Sequence, residues 1–542
     1  MTDGVPARPS EELADGPPRA GLARSTAAVS GLNLLSRVTG LGRVIAMSAA
    51  LGATALGDTY QVANLTSNIL FELLAGGVLS AALVPTFVGL IDRGRRQDAA
   101  RLAGALLGLA LLALTVIVAL ALVLAPWIMR LLTSGVADAD LRADQVDLGT
   151  FLLWFFLPQV LLYAIGAVST ALLHADRRFV AAAIAPVFNN LVVIASMVAF
   201  WSMRGGDTGF DLSLGEKLVL GAGATVGVLA MTVVPLIAVW RRGLALRPRW
   251  TPGDHRLGGL VTKGLWAAGH LGLAQLFAFV TIVVANELAG GVVAYQVGYT
   301  FFLLPYALVA NPLTTTLFPR LAAAAAAGRV DQLASDLTQG MRVLALVLVP
   351  TSFLVAAVAR PLLEIVRLGN LDVAGAGLVA AATAAYVTGL VGYAGFFLLT
   401  RAYYALGDTR TPTLVNLATV GVGSVVLLVG GRLVEGTALV VLLGLVHAAV
   451  VTVGTAMLWI GVARRTGRFG LGGALLRDLA LGAAAGAVAW GIVTVIGYDS
   501  RPVAVLAVGA AGAGAVAVYG VGQVLLGGDD LRRLRTDLVG GR

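Results

Sequence analysis

The sequence predicts an all-α polytopic membrane protein of about fourteen transmembrane helices, and three observations predict it. Of its 542 residues 58% are hydrophobic and 12% charged, with a mean hydropathy of +0.89, against about a quarter charged in soluble domains. Apolar runs of spanning length, about 20 residues each, follow one another with short polar breaks. The connections between them alternate between basic and cation-poor, as loops on opposite sides of one membrane do. Many glycines and alanines suit helices packed closely in lipid, where small residues let backbones approach.

Residues 1–21 are Pro-rich, carry both signs of charge and lack apolar periodicity, so they read as a disordered cytoplasmic tail. They have neither the apolar core nor the cleavage site of a signal peptide. The expected spans are 25–51, 61–90, 99–125, 147–173, 178–202, 214–240, 259–288, 291–319, 338–366, 374–405, 411–431, 436–462, 472–497 and 502–526. Connections at 91–101, 174–179, 241–256, 319–336, 401–412 and 463–470, with the tail at 529–537, collect Arg. Those at 51–59, 133–147, 205–217, 287–291, 367–373, 430–436 and 497–502 carry few cations. The asymmetry places both termini in the cytoplasm and requires an even number of spans.

An internal repeat organises the spans. Tyr60-Gln61-Val62 opens the second and Tyr295-Gln296-Val297 lies in the eighth; LVPTF (83–87) is echoed by LFPRL (317–321), and ALLHADRRF (171–179) by AYYALGDTRTP (402–412). Six helices are duplicated at an offset of about 230 residues. Six being even, the copies keep one orientation and are related by an axis along the membrane normal. The expected organisation is a tail (1–21), a six-helix lobe (22–241), a cytoplasmic linker (242–257), a second six-helix lobe (258–465), two further helices (466–528) and a basic cytoplasmic tail (529–542).

Within the first two spans, polar residues recur at helical spacing: Asn33, Arg37, Gly40 and Arg43 on one, Gln61, Asn64, Asn68 and Glu72 on the other. A charge at mid-bilayer costs roughly 2.5–3.5 kcal/mol, so each must face a partner or a watery cavity. Counting from the turn at Gly57-Asp58 puts Arg37 and Glu72 at similar depth and Arg43 level with Asn64 to Asn68. One reading is a polar cavity for an anionic, hydrogen-bonding cargo; the other is an Arg–Glu pair stapling two helices. Arg43 has no acid at its own depth and is the better contact for cargo. Asp58 is either a turn former or a gate contact. His270 and Gln275 could line the opposite wall, Lys263 snorkels to the interface, and Asn189 and Asn190 hydrogen-bond between helices.

Other chemistries find little support. There is no Cys, hence no disulfide or thiolate site, and His174, His255, His270 and His447 are scattered without ligand spacing, so no metal is expected. No phosphate-binding loop is present; GAGATVG (221–227) and GAAGAGAVAVYG (509–520) lie inside apolar spans and pack helices. The net charge of +9 is the loop asymmetry of a membrane protein, so no nucleic acid is expected. The acidic stretch ADADLRADQVD (137–147) reads as a solvated loop, not a catalytic cluster, and no enzymatic activity is expected.

SRVTGLGR (36–43), GATALGD (52–58), AGGVLSAALVPTF (75–87), TTLFPRLA (315–322) and YYALGDTRTP (403–412) together resemble the MurJ/MviN lipid II flippase family, within the superfamily of multidrug, oligosaccharidyl-lipid and polysaccharide exporters. The resemblance implies two six-helix lobes in a V shape plus two C-terminal helices. It also implies a bacterial cytoplasmic membrane location and alternating access that moves undecaprenyl-linked peptidoglycan precursor, lipid II, from inner to outer leaflet. Arg37 and Arg43 match the family's first-helix arginines, associated with the precursor's pyrophosphate, and Asp58 its acidic turn residue. An apolar groove formed with the last two helices would hold the lipid tail.

The chain departs from the family at Phe71 and Glu72, where a basic pair is usual, and at Thr300, where the eighth helix has an arginine. The expected function is lipid II flipping without a cofactor, driven by membrane potential or an ion gradient, with Arg37, Arg43, Asn33, Asn64, Asn68 and Glu72 binding substrate and Asp58 gating. The expected partners are a polyprenyl-pyrophosphate-linked glycan, the bilayer and cell-wall synthesis proteins. The alternatives are export of another polyprenyl-linked saccharide, drug export, which the excess of arginine over acid disfavours, and a transport-inactive scaffold for wall synthesis.

Overall fold

The computed structural model describes residues 19–73, 87–244, 246–249, 272–467 and 472–526, with side chains from residue 31. Among these every regular element is helical: α1 (Arg19–Leu51), α2 (Ala55–Phe71), α3 (Arg96–Leu132), α4 (Ala139–Phe156), α5 (Gln159–Ala175), α6 (Val180–Arg204) and α7 (Leu214–Arg241). There follow α8 (Gly272–Ala285), α9 (Gly291–Pro305), α10 (Asn311–Ala326), α11 (Val330–Val366), α12 (Val373–Val387), α13 (Leu390–Ala405), α14 (Arg410–Gly431), α15 (Thr437–Thr466), α16 (Gly472–Ile496) and α17 (Arg501–Leu526). Among the described residues eleven helices are long and apolar enough to cross a membrane, twelve if the bent pair α12–α13 is one span. The second and seventh expected spans run into residues outside the described set, as do Lys263, His255, His270, most of AGGVLSAALVPTF and the tail at 529–537.

Several boundaries differ from expectation, each for a local reason. α1 begins at Arg19, inside the stretch read as tail. α2 starts at Ala55, not 61, because the Thr54 hydroxyl accepts from the Gly57 N–H at 3.3 Å and caps the helix; Asp58 is thereby a helical residue. The acidic stretch at 137–147 is no loop: Asp138 accepts from the N–H groups of Asp140 and Leu141, and α4 begins at Ala139. Pro158 breaks the fourth expected span into α4 and α5. The eighth span is interrupted by a π turn, Tyr306–Ala310, where Pro305 and Pro312 withhold N–H donors from the helical ladder.

The repeat is visible in side-chain packing. Tyr60 meets Phe156 edge-on at 5.5 Å between ring centroids, and Tyr295 meets Tyr386 at 6.0 Å. The break between α4 and α5 has its counterpart at Thr388-Gly389, where α12 and α13 bend by 46°. Asp176, in the first basic turn of the pair matched above, bonds to Arg96 and lies 3.5 Å from Arg242 at the end of α7. Its counterpart Asp408 binds Arg465 at the end of α15, at 2.7 Å. Helices α16 and α17 pack on each other and on α11, outside the repeat.

Asp408 also anchors the start of α14, accepting from the Arg410 and Thr411 N–H groups and from the Thr411 hydroxyl at 2.7 Å. Burial alone would push its carboxyl up; the bonds from Thr411 and Arg465 outweigh that and hold it at about 2, below the ordinary 3.8. The sign follows: a depressed carboxyl contributes stability above its unfolded value and loses it as pH falls through the folded one. Asp408→Ala is therefore expected to cost about 1–2 kcal/mol, the range for a lost helix cap, in denaturation of detergent-purified protein at pH 7. The difference from wild type should shrink between pH 4 and 2; a gap that persists in acid would mean packing, not charge, sets it.

The helix ends define two faces. The near face carries the basic turns, and the far face carries the ends of α1, α3, α8 and α11 together with the starts of α2, α9 and α12. On the far face the two repeats touch: Asn286 donates to the Leu132 carbonyl at 3.2 Å and to Gln145 at 3.3 Å, and Asn370 donates from its side chain to the Ala50 carbonyl and from its backbone to Ala49, both at 2.8 Å. Gly369 adopts φ +56 there, and a Cβ on it would strike the Ala49 backbone.

Candidate functional site

The two polar stripes do face a cavity between the repeats, but it is divided. One chamber, of about 500 Å³, is lined on the first repeat by Arg37, Gly40, Arg43, Gln61 and Asn64 and on the second by Gln296, Thr300, Tyr306 and Tyr393. The other, of about 400 Å³, takes Asn68 and Glu72 from α2, Gln275 from α8, Asn416 from α14 and His447 from α15. Gln296, Thr300, Leu303 and Tyr393 border both. The residues expected to form one site thus fall as Arg37, Arg43 and Asn64 in the first chamber and Asn68 and Glu72 in the second. Asn33, one turn before Arg37 on the same face of α1, is exposed and lines neither.

The anticipated Arg–Glu staple is absent: among the described residues, Arg37, Arg43 and Glu72 form no ion pair. Arg43 is half-buried with its Nε sealed from solvent and without a hydrogen-bond partner. Its charge acts on the hydroxyls of Tyr60 and Tyr163, neutral groups that cannot balance it. A guanidinium on a cavity wall with an unsatisfied N–H favours an anion beside it. The α1 backbone is held in place from outside by Asn190 on α6, whose side chain donates to the Ser36 carbonyl at 3.2 Å and to the Thr39 hydroxyl at 3.1 Å. Asn190 therefore bonds between helices as expected.

Asp58 is wholly buried and is not a solvated turn residue. Its Oδ2 accepts from the Gly290 N–H at 2.6 Å and its Oδ1 from the Val293 N–H at 2.9 Å. Gly290 is the N-cap of α9, sits at φ +82 and has no side chain to cap its own helix. A carboxylate from the first repeat thus caps a helix of the second, where free N–H groups and the helix dipole favour negative charge. With the Asn286 and Asn370 contacts, this clasp closes the far face between the repeats.

Aromatic residues of the second repeat also face the chambers. Tyr295, Tyr299, Phe302 and Tyr306 recur at spacings of three and four on α9 and the π turn, an aromatic stripe inside an apolar span. Their rings join Tyr386, Tyr393 and His447 in one cluster. His447 is isolated in sequence because its ring neighbours come from four other helices, α8, α9, α12 and α13. A separate apolar pocket of about 690 Å³ lies among α11, α13, α15 and α16, lined by residues including Phe353, Val391, Trp459 and Leu475.

Comparison with known proteins was made against this geometry. The sequence profile of the family described as Lipid II flippase MurJ matches residues 47–505. A protein of Rhizobium meliloti (strain 1021) named probable lipid II flippase MurJ is 28% identical over 403 residues, covering 72% of each chain. One of Burkholderia cenocepacia named lipid II flippase MurJ is 27% identical over 412 residues, covering 73% of this chain and 76% of that one. Among solved structures, a lipid II flippase MurJ in an inward closed conformation superposes with a TM-score of 0.73 at 16% identity, over 92% of this chain and 98% of that one. An inward-facing multidrug resistance transporter of the MATE family, in the MOP superfamily, gives 0.62 at 13% identity, over 80% of this chain and 94% of that one.

Proposed function

This chain belongs to the lipid II flippase MurJ family, and from that membership we propose that it moves lipid II from the inner to the outer leaflet of a bacterial cytoplasmic membrane by alternating access. The observation that carries the mechanism is the pair of arginines, Arg37 and Arg43, without an acidic partner among the described residues, on the wall of a cavity between the repeats. They take the pyrophosphate, so its charge does not cross hydrocarbon unscreened. Gln61, Asn64 and Gln296 hydrogen-bond the sugars from the same walls. The apolar pocket beside α16 takes the polyprenyl tail, whose burial favours a pocket lined by Phe353, Trp459 and Leu475.

The cycle runs between two closures. The near face is cytoplasmic, with both termini on it, and the structure is the state sealed on the far face by the Asp58 clasp. The repeats, lobes at 22–241 and 258–465, rock about the cavity to break that clasp and close the near face. The chain carries out no covalent chemistry, and the drive is the membrane potential or an ion gradient. Cell-wall synthesis proteins act on either side of it as supplier and consumer of cargo.

The test is replacement. In a bacterium depleted of its own lipid II flippase, this gene is expected to sustain growth and the appearance of lipid II in the outer leaflet. Normal membrane levels without either would sink the lipid II reading, and recovery of another polyprenyl-linked saccharide in the outer leaflet would identify the replacement cargo.

A further inference from the structure

The two chambers are opposite in sign. The first is lined by Arg37 and Arg43 and, among the described residues, by no acid. The second is lined by Glu72 and, among the described residues, by no Arg or Lys. They meet at Gln296, Thr300, Leu303 and Tyr393, so a single ligand of moderate size reaches both. A cavity for a simple anion would have no use for an unpaired carboxylate at that depth, and an unpaired carboxylate inside a membrane is costly.

We propose that the Glu72 chamber binds a protonated amine carried on the same headgroup whose pyrophosphate the two arginines hold. The cargo class is then a polyprenyl-pyrophosphate-linked glycan bearing a primary amine, as an attached peptide with a basic side chain would supply. This inference rests on the flippase reading and narrows it. Three features select an ammonium group over other cations. The chamber wall is aromatic, with Tyr295, Tyr299, Tyr386 and Tyr393 all lining it, and ring faces attract organic ammonium ions. A divalent metal ion draws on several carboxylates, and among the described residues no three His, Cys, Asp or Glu gather anywhere. Asn68, Gln275 and Asn416 offer carbonyl oxygens for the remaining ammonium hydrogens.

The position of Glu72 gives the arrangement its meaning. It stands about two helical turns beyond Asn64, at the C-cap of α2, so the amine lies on the far side of the sugars from the pyrophosphate. The headgroup is thereby held at two charged ends, which fixes its direction in the cavity as neither charge alone does.

The experiment uses the full chain in lipid nanodiscs and three probes: polyprenyl pyrophosphate, a polyprenyl-pyrophosphoryl glycopeptide with a free side-chain amine, and the same glycopeptide with that amine acetylated. Wild type is expected to bind the free-amine form at least about tenfold more tightly than the acetylated form, the size of one charge-assisted hydrogen bond. Glu72→Gln is expected to erase that preference and Glu72→Asp to keep part of it, with both variants eluting as wild type does. Equal binding of the two glycopeptides by wild type, a preference that survives Glu72→Gln, or loss of the preference on adding Na+ would each overturn the inference. Polyprenyl pyrophosphate separates the two readings: if it binds wild type and the preference is missing, only the amine site falls, and if it fails to bind, the flippase reading falls with it.

Discussion

Arg43→Ala is expected to lower lipid II flipping by roughly a hundredfold while leaving the folded protein as stable as wild type or more so. The two halves of that expectation come from one observation. Arg43 sits on the cavity wall with its Nε buried and unpartnered, so in the empty protein it costs free energy, about 2.5–3.5 kcal/mol for a charge at mid-bilayer. A pyrophosphate recovers that cost through charge-assisted hydrogen bonds worth about 1.5–3 kcal/mol each, and two of them amount to roughly a hundredfold or more in binding. A structural arginine behaves oppositely: truncating one member of a buried pair strands the other and destabilises by about 3–5 kcal/mol. Flipping in reconstituted vesicles and the denaturation midpoint in detergent, measured on the same variant, therefore separate the roles. Lost flipping with an unchanged or raised midpoint supports the cavity reading; a lowered midpoint would return Arg43 to the staple. Arg43→Lys keeps the charge but not the planar fork and should fall between. Arg37→Ala is expected to show the smaller loss, since Arg37 is the more exposed of the two.

How much of this could be read from the sequence follows from the range of the interactions involved. Spans and faces were legible because hydropathy and loop charge are local, and the duplication because Asp176 and Asp408 sit in similar turns and make similar ion pairs. The polar stripes on α1 and α2 were legible from helical spacing, and Arg37, Arg43 and Asn64 do share a chamber. What spacing could not give is what stands opposite. The division into two chambers is made by Gln296, Thr300 and Tyr393, from a repeat more than two hundred residues away. The same limit hid the role of Asp58. In sequence it sits between Gly57 and Thr59 at a turn, and nothing local says that its partners are backbone N–H groups of Gly290 and Val293. Asn33 continues the α1 stripe by one turn but lines neither chamber.

Asp58→Ala is expected to open the far face and slow transport without touching cargo. The carboxylate accepts two backbone N–H groups at 2.6 and 2.9 Å, each bond to a charged acceptor being worth about 1.5–3 kcal/mol, and it lies on the positive end of the α9 dipole. Removing it strands the first N–H groups of α9 between the repeats and shifts the closed-to-open ratio at the far face by roughly a hundredfold. Because the chain contains no Cys, a single Gln61→Cys reports this directly: Gln61 is 6% exposed on the cavity wall. A membrane-impermeant maleimide added from the far face should label it slowly in the wild-type background and much faster with Asp58→Ala. Asp58→Asn keeps the size and one accepting oxygen but turns an NH2 toward an N–H donor, so it should label nearly as fast as Asp58→Ala; shape alone is not the clasp. Unchanged labelling in both variants would show that the Asn286 and Asn370 contacts hold the face without Asp58. A clasp of this strength must also be broken once per cycle, so the cargo or the driving gradient has to favour the open state by a comparable amount. The wild-type labelling rate should accordingly rise when lipid-linked cargo is supplied from the near face, and Asp58→Ala should lose that dependence because its far face is already open.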